Sequence, residues 1–265
     1  MANLRRSAES WSDWTEADLD AYDIVVVSED AATFFGQAVL PEPHVQQELL
    51  DYQKAEDMVN DNNAELINLL DLVMVPSSED SAVVDFTTEL LKTLGYAKRH
   101  RVARTRKNIP LLICGEWRHA KADVCVMDRG DQDDIMLLVQ EDRRFGQGES
   151  ASSDPQAQLI GAAIATFSQN KRRRIEAGLP SRDSKHFIPG IVVAGTTPTF
   201  YKIYVNSELE HSIRHGLYPC MRARVSRHRP AVSRPGHRWS EGMEPLDARK
   251  EILRCYEAFK AIVGF

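Results

Sequence analysis

Three short apolar runs follow one another between residues 109 and 143, and no helical pattern separates them. Most of their positions are apolar without alternation, which is typical of strands buried on both faces. Helical spacing of apolar residues precedes them in residues 79–94 and follows them in residues 154–174. We expect strands over residues 109–117, 123–128, 135–143, 187–194 and 200–205. The order helix, strand, strand, strand, helix, strand predicts an α/β protein with a mixed central sheet.

Capping signals mark the beginnings of three helices. Ser77 or Ser78 can cap the helix before the three strands, and Asp154 followed by Pro155 is a typical start for the helix after them. Asp247 can cap a last helix. The apolar stripe of that helix consists of Ile252, Tyr256, Phe259 and Val263. We therefore expect a core flanked by helices, with helical additions at both ends.

The two ends of the chain are less regular. Residues 1–75 contain a strand-like run at 24–27 and a helical pattern over 44–72 that can be interrupted near 61–63. Residues 218–245 are rich in Pro, Arg and His and are interpreted as a loop. We divide the chain into an acidic N-terminal accessory segment, residues 1–75, and an α/β domain, residues 76–265, with a basic C-terminal loop and helix.

Charge is distributed unevenly. Residues 1–90 hold 20 Asp and Glu against 3 Lys and Arg, whereas residues 91–265 hold 19 against 30. The basic part can bind a polyanion, or the acidic part can fold over it and shield it; a third interpretation is that both surfaces are simply solvated. The N-terminus lacks a secretory pattern, no apolar run could cross a membrane, and the 4 cysteines form no CxxC pair. We expect an intracellular protein, cytoplasmic or nuclear, with no membrane partner.

Two acidic residues stand at the ends of buried strands. We expect Asp123 to begin the second strand and Glu141 to lie late in the third. If these strands are neighbours, the two carboxylates converge at one end of the sheet, where their repulsion favours a bound cation. Mg²⁺ takes one or two carboxylates together with waters and phosphate oxygens, so the pair predicts a Mg²⁺ site that Mn²⁺ can also fill.

The strand order and the motif Asp123 with Glu141-Asp142-Arg143 resemble the PD-(D/E)xK nuclease superfamily. The stretches 114–123 and 139–143 also resemble a group of fungal proteins related to that superfamily. The resemblance covers about residues 79–205. It implies an αβββαβ core and Mg²⁺-dependent hydrolysis of phosphodiester bonds in nucleic acid.

The resemblance also implies roles for individual residues. Asp123, Glu141 and the backbone carbonyl of Asp142 would hold the metal ion, and Arg143, with Lys121, would face the scissile phosphate. This sequence has Arg143 where the family has a lysine, and Ala122 where it has a proline. Arginine can grip a phosphate with two hydrogen bonds, but it cannot give up a proton at ordinary pH.

Two further residues match positions of the superfamily. Glu89, on the helix before the strands, matches an acidic residue that is often a metal ligand, and Gln158 matches a glutamine on the helix after them. The simpler interpretation is that both side chains face solvent. Likewise, Asp123 could merely begin a strand, and Glu141 could form a surface ion pair with Arg143 or Arg144.

Three functions therefore stay open. The first is a metal-dependent nuclease, the second is an inactive derivative of the fold that serves as a binding or scaffold module, and the third is a small-molecule enzyme that uses the same pocket. Basic residues in 98–107, 171–174 and 222–238 suit contact with a phosphate backbone, and Tyr201, Tyr218 and Trp239 could stack on bases. The alternative is that these basic blocks are solvated loops.

Overall fold

The computed structural model describes residues 6–10, 13–75, 81–143, 154–180 and 187–265. These residues contain seven strands: β1 (Ile24–Ser28), β2 (Arg101–Ile113), β3 (Glu116–Asp128), β4 (Asp134–Glu141), β5 (Ile188–Ala194), β6 (Thr197–Ile203) and β7 (Ala223–His228). They also contain nine α-helices: α1 (Glu16–Ala21), α2 (Ala31–Phe35), α3 (Glu48–Asp51), α4 (Asp61–Met74), α5 (Ala82–Thr93), α6 (Pro155–Glu176), α7 (Ser207–His215), α8 (Arg238–Glu241) and α9 (Leu246–Val263).

One mixed sheet organises the protein, as the sequence predicted, and it contains seven strands among the described residues. Its order is β1-β7-β6-β5-β4-β3-β2. β2, β3 and β4 form an antiparallel meander, and α6 then connects β4 to the parallel strand β5. With α5 in front of the meander, the element order from α5 to β5 is helix, strand, strand, strand, helix, strand.

A long hairpin joins β2 and β3 at the edge of the sheet. Its two-residue turn, Cys114 and Gly115, has positive φ at both positions, 49° and 81°, which is the backbone geometry that suits a tight hairpin. The strand expected over residues 109–117 is therefore wrong at both ends. The turn interrupts it at residue 114, and β2 begins already at Arg101, inside the basic block.

α6 covers one face of the sheet and begins where the sequence predicted. The side chain of Asp154 accepts hydrogen bonds from the amides of Gln156 at 3.0 Å and Ala157 at 3.1 Å, and Pro155 occupies the first turn. The helix packs closely on β5, because a Cβ added to Gly190 would lie 2.9 Å from a methyl group of Leu159.

The other face is covered by α4, α5 and α9, whose apolar residues form a second buried cluster. The predicted stripe of α9 is confirmed, and all of its members lie in this cluster: Ile252, Tyr256, Phe259 and Val263. Asp247 lies in the first turn of α9, whereas Pro245 holds the capping position. The predicted caps Ser77 and Ser78 lie outside the described residues.

The N-terminal segment contributes directly to the sheet. β1 pairs in parallel with β7, and Trp14 and Tyr22 are buried in the same cluster as α6. The helix expected over residues 44–72 is interrupted more than predicted, because α4 begins only after the capping residue Asn60. The loop expected over 218–245 is wrong in part, since it contains β7 and α8. The division at residue 75 stays a prediction.

Candidate functional site

Asp123 lies inside β3, where it is 4% exposed. The prediction that it begins a strand is wrong, because β3 begins at Glu116 and pairs with β2 on both sides of Asp123. Pairing of β3 with β4, in contrast, starts only at Val124. Beyond that point the amide of Glu141 donates to Oδ2 of Asp123 at 2.9 Å, and Nε2 of Gln140 donates to the same oxygen at 2.6 Å. At Asp123 the backbone pairing of β3 with β4 ends, and the side-chain carboxylate accepts hydrogen bonds from β4 instead.

The pleat of β3 changes at the same residue. Ala122 and Cys125 belong to the cluster under α6, whereas Val124 belongs to the cluster on the other face, so strict alternation fails at Asp123. Its neighbour in β2, Arg106, lies between two regular pairs and has a φ of 50°. This irregularity directs the carboxylate of Asp123 along the sheet toward β4.

Glu141 is the last residue of β4 and is 8% exposed. The guanidinium of Arg143 contacts both acids: Nη2 lies 3.5 Å from Oδ1 of Asp123, and Nε lies 3.7 Å from Oε2 of Glu141. The two predicted acids are therefore brought to one place, with a positive charge between them. Both distances are longer than those of charge-assisted hydrogen bonds, and Arg143 is half-exposed.

Burial raises the pKa of Asp123 above its ordinary value, because removing the carboxylate from water disfavours its charged form. The hydrogen bond from the amide of Glu141 and the positive charges of Arg143, Lys121 and Arg106 act in the opposite direction. The site is thus a desolvated acid surrounded by three cations.

Four further cations lie on β2 and β3, and two of them, Arg106 and Lys121, act electrostatically on Asp123. Arg104, Arg106 and Lys121 are exposed, Lys107 is half-buried, and none of the four forms an ion pair among the described residues. The basic block near residue 100 was predicted to suit phosphate contact, and most of it lies along the edge strand β2. Unpaired cations around a pair of acids can attract and orient an anionic ligand.

The other predicted site residues are not joined to the pair by the described contacts. Glu89 lies on α5 and forms an ion pair with Lys92 at 3.0 Å. The backbone amide of Asp142 donates to the carbonyl of Val193 at 2.8 Å, which continues β4 beside β5. Gln158 is half-buried in the first turns of α6. Their roles toward a metal ion or a phosphate stay predictions.

The site offers Mg²⁺ two carboxylates, those of Asp123 and Glu141. The described residues contain no group of three or more His, Cys, Asp and Glu side chains that could hold a metal ion. Mg²⁺ nevertheless keeps several waters and is often bound through only one or two carboxylates and a substrate phosphate. Asp123 and Glu141 fit that requirement, provided that the guanidinium of Arg143 moves aside.

Gln140 belongs to the site and was missed in the sequence. It fixes one oxygen of Asp123, which leaves the other oxygen facing Arg143. The only signal is a polar residue in an otherwise apolar strand, and such a residue usually marks a buried hydrogen bond.

Two other predicted contacts with nucleic acid are wrong. Tyr201 is buried, and its hydroxyl donates to Oε1 of Gln156, so it cannot stack on a base. Burial raises its pKa to about 12. Arg174, from the second basic block, is buried between Asp131 and Asp134. Tyr218 and Trp239 remain partly exposed.

The C-terminal basic block is partly shielded by the acidic N-terminal segment. Arg222 pairs with Asp23 at 3.0 Å, and Arg224 pairs with Glu29 at 2.8 Å. Shielding, one of the three interpretations of the charge asymmetry, thus describes these arginines and not the cations of β2.

No protein-family model matches the chain, and no curated protein matches its sequence. None of the described helices has the length and the apolar character needed to cross a membrane.

Proposed function

We propose that this protein is a nuclease-like phosphodiesterase that acts on nucleic acid and holds Mg²⁺ or Mn²⁺ between Asp123 and Glu141. One observation carries the proposal: two buried carboxylates from adjacent strands contact a single cationic group, the guanidinium of Arg143. Two acids that share one cation provide the hard, anionic oxygen ligands that a small divalent ion prefers. The helix and strand order from α5 to β5 supports the resemblance to PD-(D/E)xK nucleases.

Each residue of the site would have a separate role. Gln140 and the amide of Glu141 orient Asp123, so that one of its oxygens stays available. A divalent ion bound there would lower the pKa of a bound water and neutralise charge that develops on a phosphoryl oxygen. Arg143, once displaced from the acids, can bind the same phosphate through two hydrogen bonds. Lys121 and Arg106 would attract the backbone electrostatically.

A second candidate function is a nuclease-fold module that binds nucleic acid without cleaving it. The observation that favours it is again Arg143, because its guanidinium already contacts both acids and offsets part of their charge. An arginine in that place competes with a divalent ion, and it cannot serve as a proton donor or acceptor.

Cleavage of mixed DNA and RNA substrates tests the two candidates. The wild type, Asp123→Asn and Arg143→Lys would be incubated with Mg²⁺, with Mn²⁺ and with EDTA. The proposed enzyme cleaves in the wild type, stops with EDTA and stops in Asp123→Asn. A wild type that binds these substrates but cleaves none of them supports the binding module. Cleavage that arises only in Arg143→Lys would identify a degraded nuclease site.

A further inference from the structure

An open groove of about 440 Å³ lies between the β2–β3 hairpin and α6, away from the acid pair. Its apolar surface includes Leu112, Trp117 and Ile175. Trp117 is 56% exposed and Ile175 is 60% exposed, which is unusual for such large side chains on one surface. The groove therefore presents an aromatic face and an aliphatic edge to solvent.

Cations line the same groove. The guanidinium of Arg172 lies over the Trp117 ring, 5.8 Å from its centre, which is near the outer limit of a cation–π contact, and more than half of the Trp117 surface still faces solvent. Lys171 pairs with Glu210 at 3.3 Å and Arg172 pairs with Glu176 at 3.7 Å, whereas Arg214 is exposed and has no ion pair among the described residues. The cations exceed the two acids that line the groove, Glu176 and Glu210.

We infer that this groove binds a base of a single-stranded nucleic acid, which stacks on Trp117 while Arg172 and Arg214 bind the adjacent phosphates. An open aromatic ring beside cations matches a ligand that has a flat aromatic part and a negative backbone. A purely aliphatic partner would leave Arg214 without a counter-charge. The inference deepens the proposed function and rests on it, because it names single-stranded nucleic acid as the substrate class.

The strand β3 connects the groove to the acid pair. Trp117 precedes Asp123 by six positions in that strand, a distance of at most about 20 Å. Lys121 lies between them and is exposed. A strand of about six nucleotides, at the duplex rise of ~3.4 Å, spans this distance. A base held at Trp117 would thus place phosphates farther along the same strand near Lys121 and Arg143.

Fluorescence anisotropy of a labelled oligothymidine of about 12 nucleotides tests the inference, without metal and at fixed salt. The full chain would be compared with Trp117→Ala and Trp117→Phe. The matched control is Tyr52→Ala, because Tyr52 is an aromatic residue of similar exposure, 44%, in the acidic N-terminal segment. Heparin, which carries charge without bases, serves as a second ligand.

The expected result is a loss of about 5- to 100-fold in oligothymidine affinity for Trp117→Ala, the range observed for one stacked base. Trp117→Phe should keep most of the affinity, Tyr52→Ala should bind normally, and heparin should bind all four proteins equally. The inference is overturned if Trp117→Ala binds oligothymidine like the wild type, if it loses heparin to the same degree, or if the wild type does not bind oligothymidine. A change in the oligomeric state of Trp117→Ala with normal binding would overturn it too, because the groove would then be a contact between copies of this chain.

The proposed function fails in a different way. Binding that depends on Trp117, in a wild type that cleaves nothing with Mg²⁺ or Mn²⁺, contradicts the proposed cleavage and leaves the groove assigned. Cleavage of a duplex by a wild type that does not bind oligothymidine supports the proposed cleavage and overturns the inference about the groove.

Discussion

Asp123→Ala, which removes the carboxylate, should destabilise the fold. Asp123→Asn, which removes only the negative charge, should not. Oδ2 of Asp123 is the acceptor for two buried donors, Nε2 of Gln140 and the amide of Glu141. In Asp123→Ala both donors lose their partner, and an unsatisfied buried donor costs about 1–3 kcal/mol. Relief of the buried charge offsets part of this, so we expect a loss of about 2–4 kcal/mol in the free energy of unfolding.

Asp123→Asn separates the two effects. Its amide oxygen can accept both hydrogen bonds, and burial already raises the pKa of Asp123 and so favours a neutral group there. We expect a loss below about 1 kcal/mol for this variant. Asp123→Asn is therefore the better variant for tests of metal binding and cleavage, because its fold should be intact.

Urea unfolding followed by circular dichroism measures both variants. For a chain of this size the loss in Asp123→Ala corresponds to a fall of between about 4 and 16 °C in Tm. Glu116→Ala is the control, since Glu116 lies on the same strand with an exposed side chain and should change stability by less than about 0.5 kcal/mol. Equal stability of Asp123→Ala and wild type would refute the role of Asp123 as an acceptor, and so would equal losses in the Ala and Asn variants.

Three further predictions concern the stability of the fold. Arg249 is buried and donates to five backbone carbonyls, so Arg249→Ala should lower the free energy of unfolding by about 3–5 kcal/mol. The control Lys250→Ala, at an exposed position, should not lower it, and equal urea midpoints of the two variants would contradict this prediction. Gly190→Ala should cost about 1–3 kcal/mol because its Cβ would meet Leu159, whereas Gly236→Ala, which meets nothing within 4 Å, should unfold like the wild type. Burial lowers the pKa of His228, so the unfolded chain takes up a proton before the folded chain as the pH falls below about 6.5. The Tm of the wild type should therefore fall below this pH, and the Tm of His228→Gln should fall less. Parallel profiles of Tm against pH would contradict this prediction.

Local signals in the sequence were sufficient for several elements. Asp154 and Pro155 mark the start of α6, and the spacing of Ile252, Tyr256 and Phe259 defines the buried stripe of α9. Such signals involve residues a few positions apart, and their geometry is fixed by the helix itself.

Long-range pairing explains what was missed. β2 begins within a run of basic residues, and charged side chains are common on edge strands, which conceals the apolar pattern of a strand. The pairing of β1 with β7 joins residues about 200 positions apart, and neither strand carries a signal for the other. The convergence of Asp123 and Glu141 could be predicted from neighbouring strands, but the role of Gln140 depends on where the β3–β4 ladder ends.

Titration calorimetry with Mn²⁺ tests most directly whether the oxygens of Asp123 and Glu141 face one cation position that Arg143 now fills. We predict that Arg143→Gln binds Mn²⁺ at least about tenfold more tightly than the wild type, because a positive charge about 4 Å from the ion is removed. Adding Glu141→Gln or Asp123→Asn to that variant should abolish binding. Equal Mn²⁺ affinity in all four proteins would contradict the shared site.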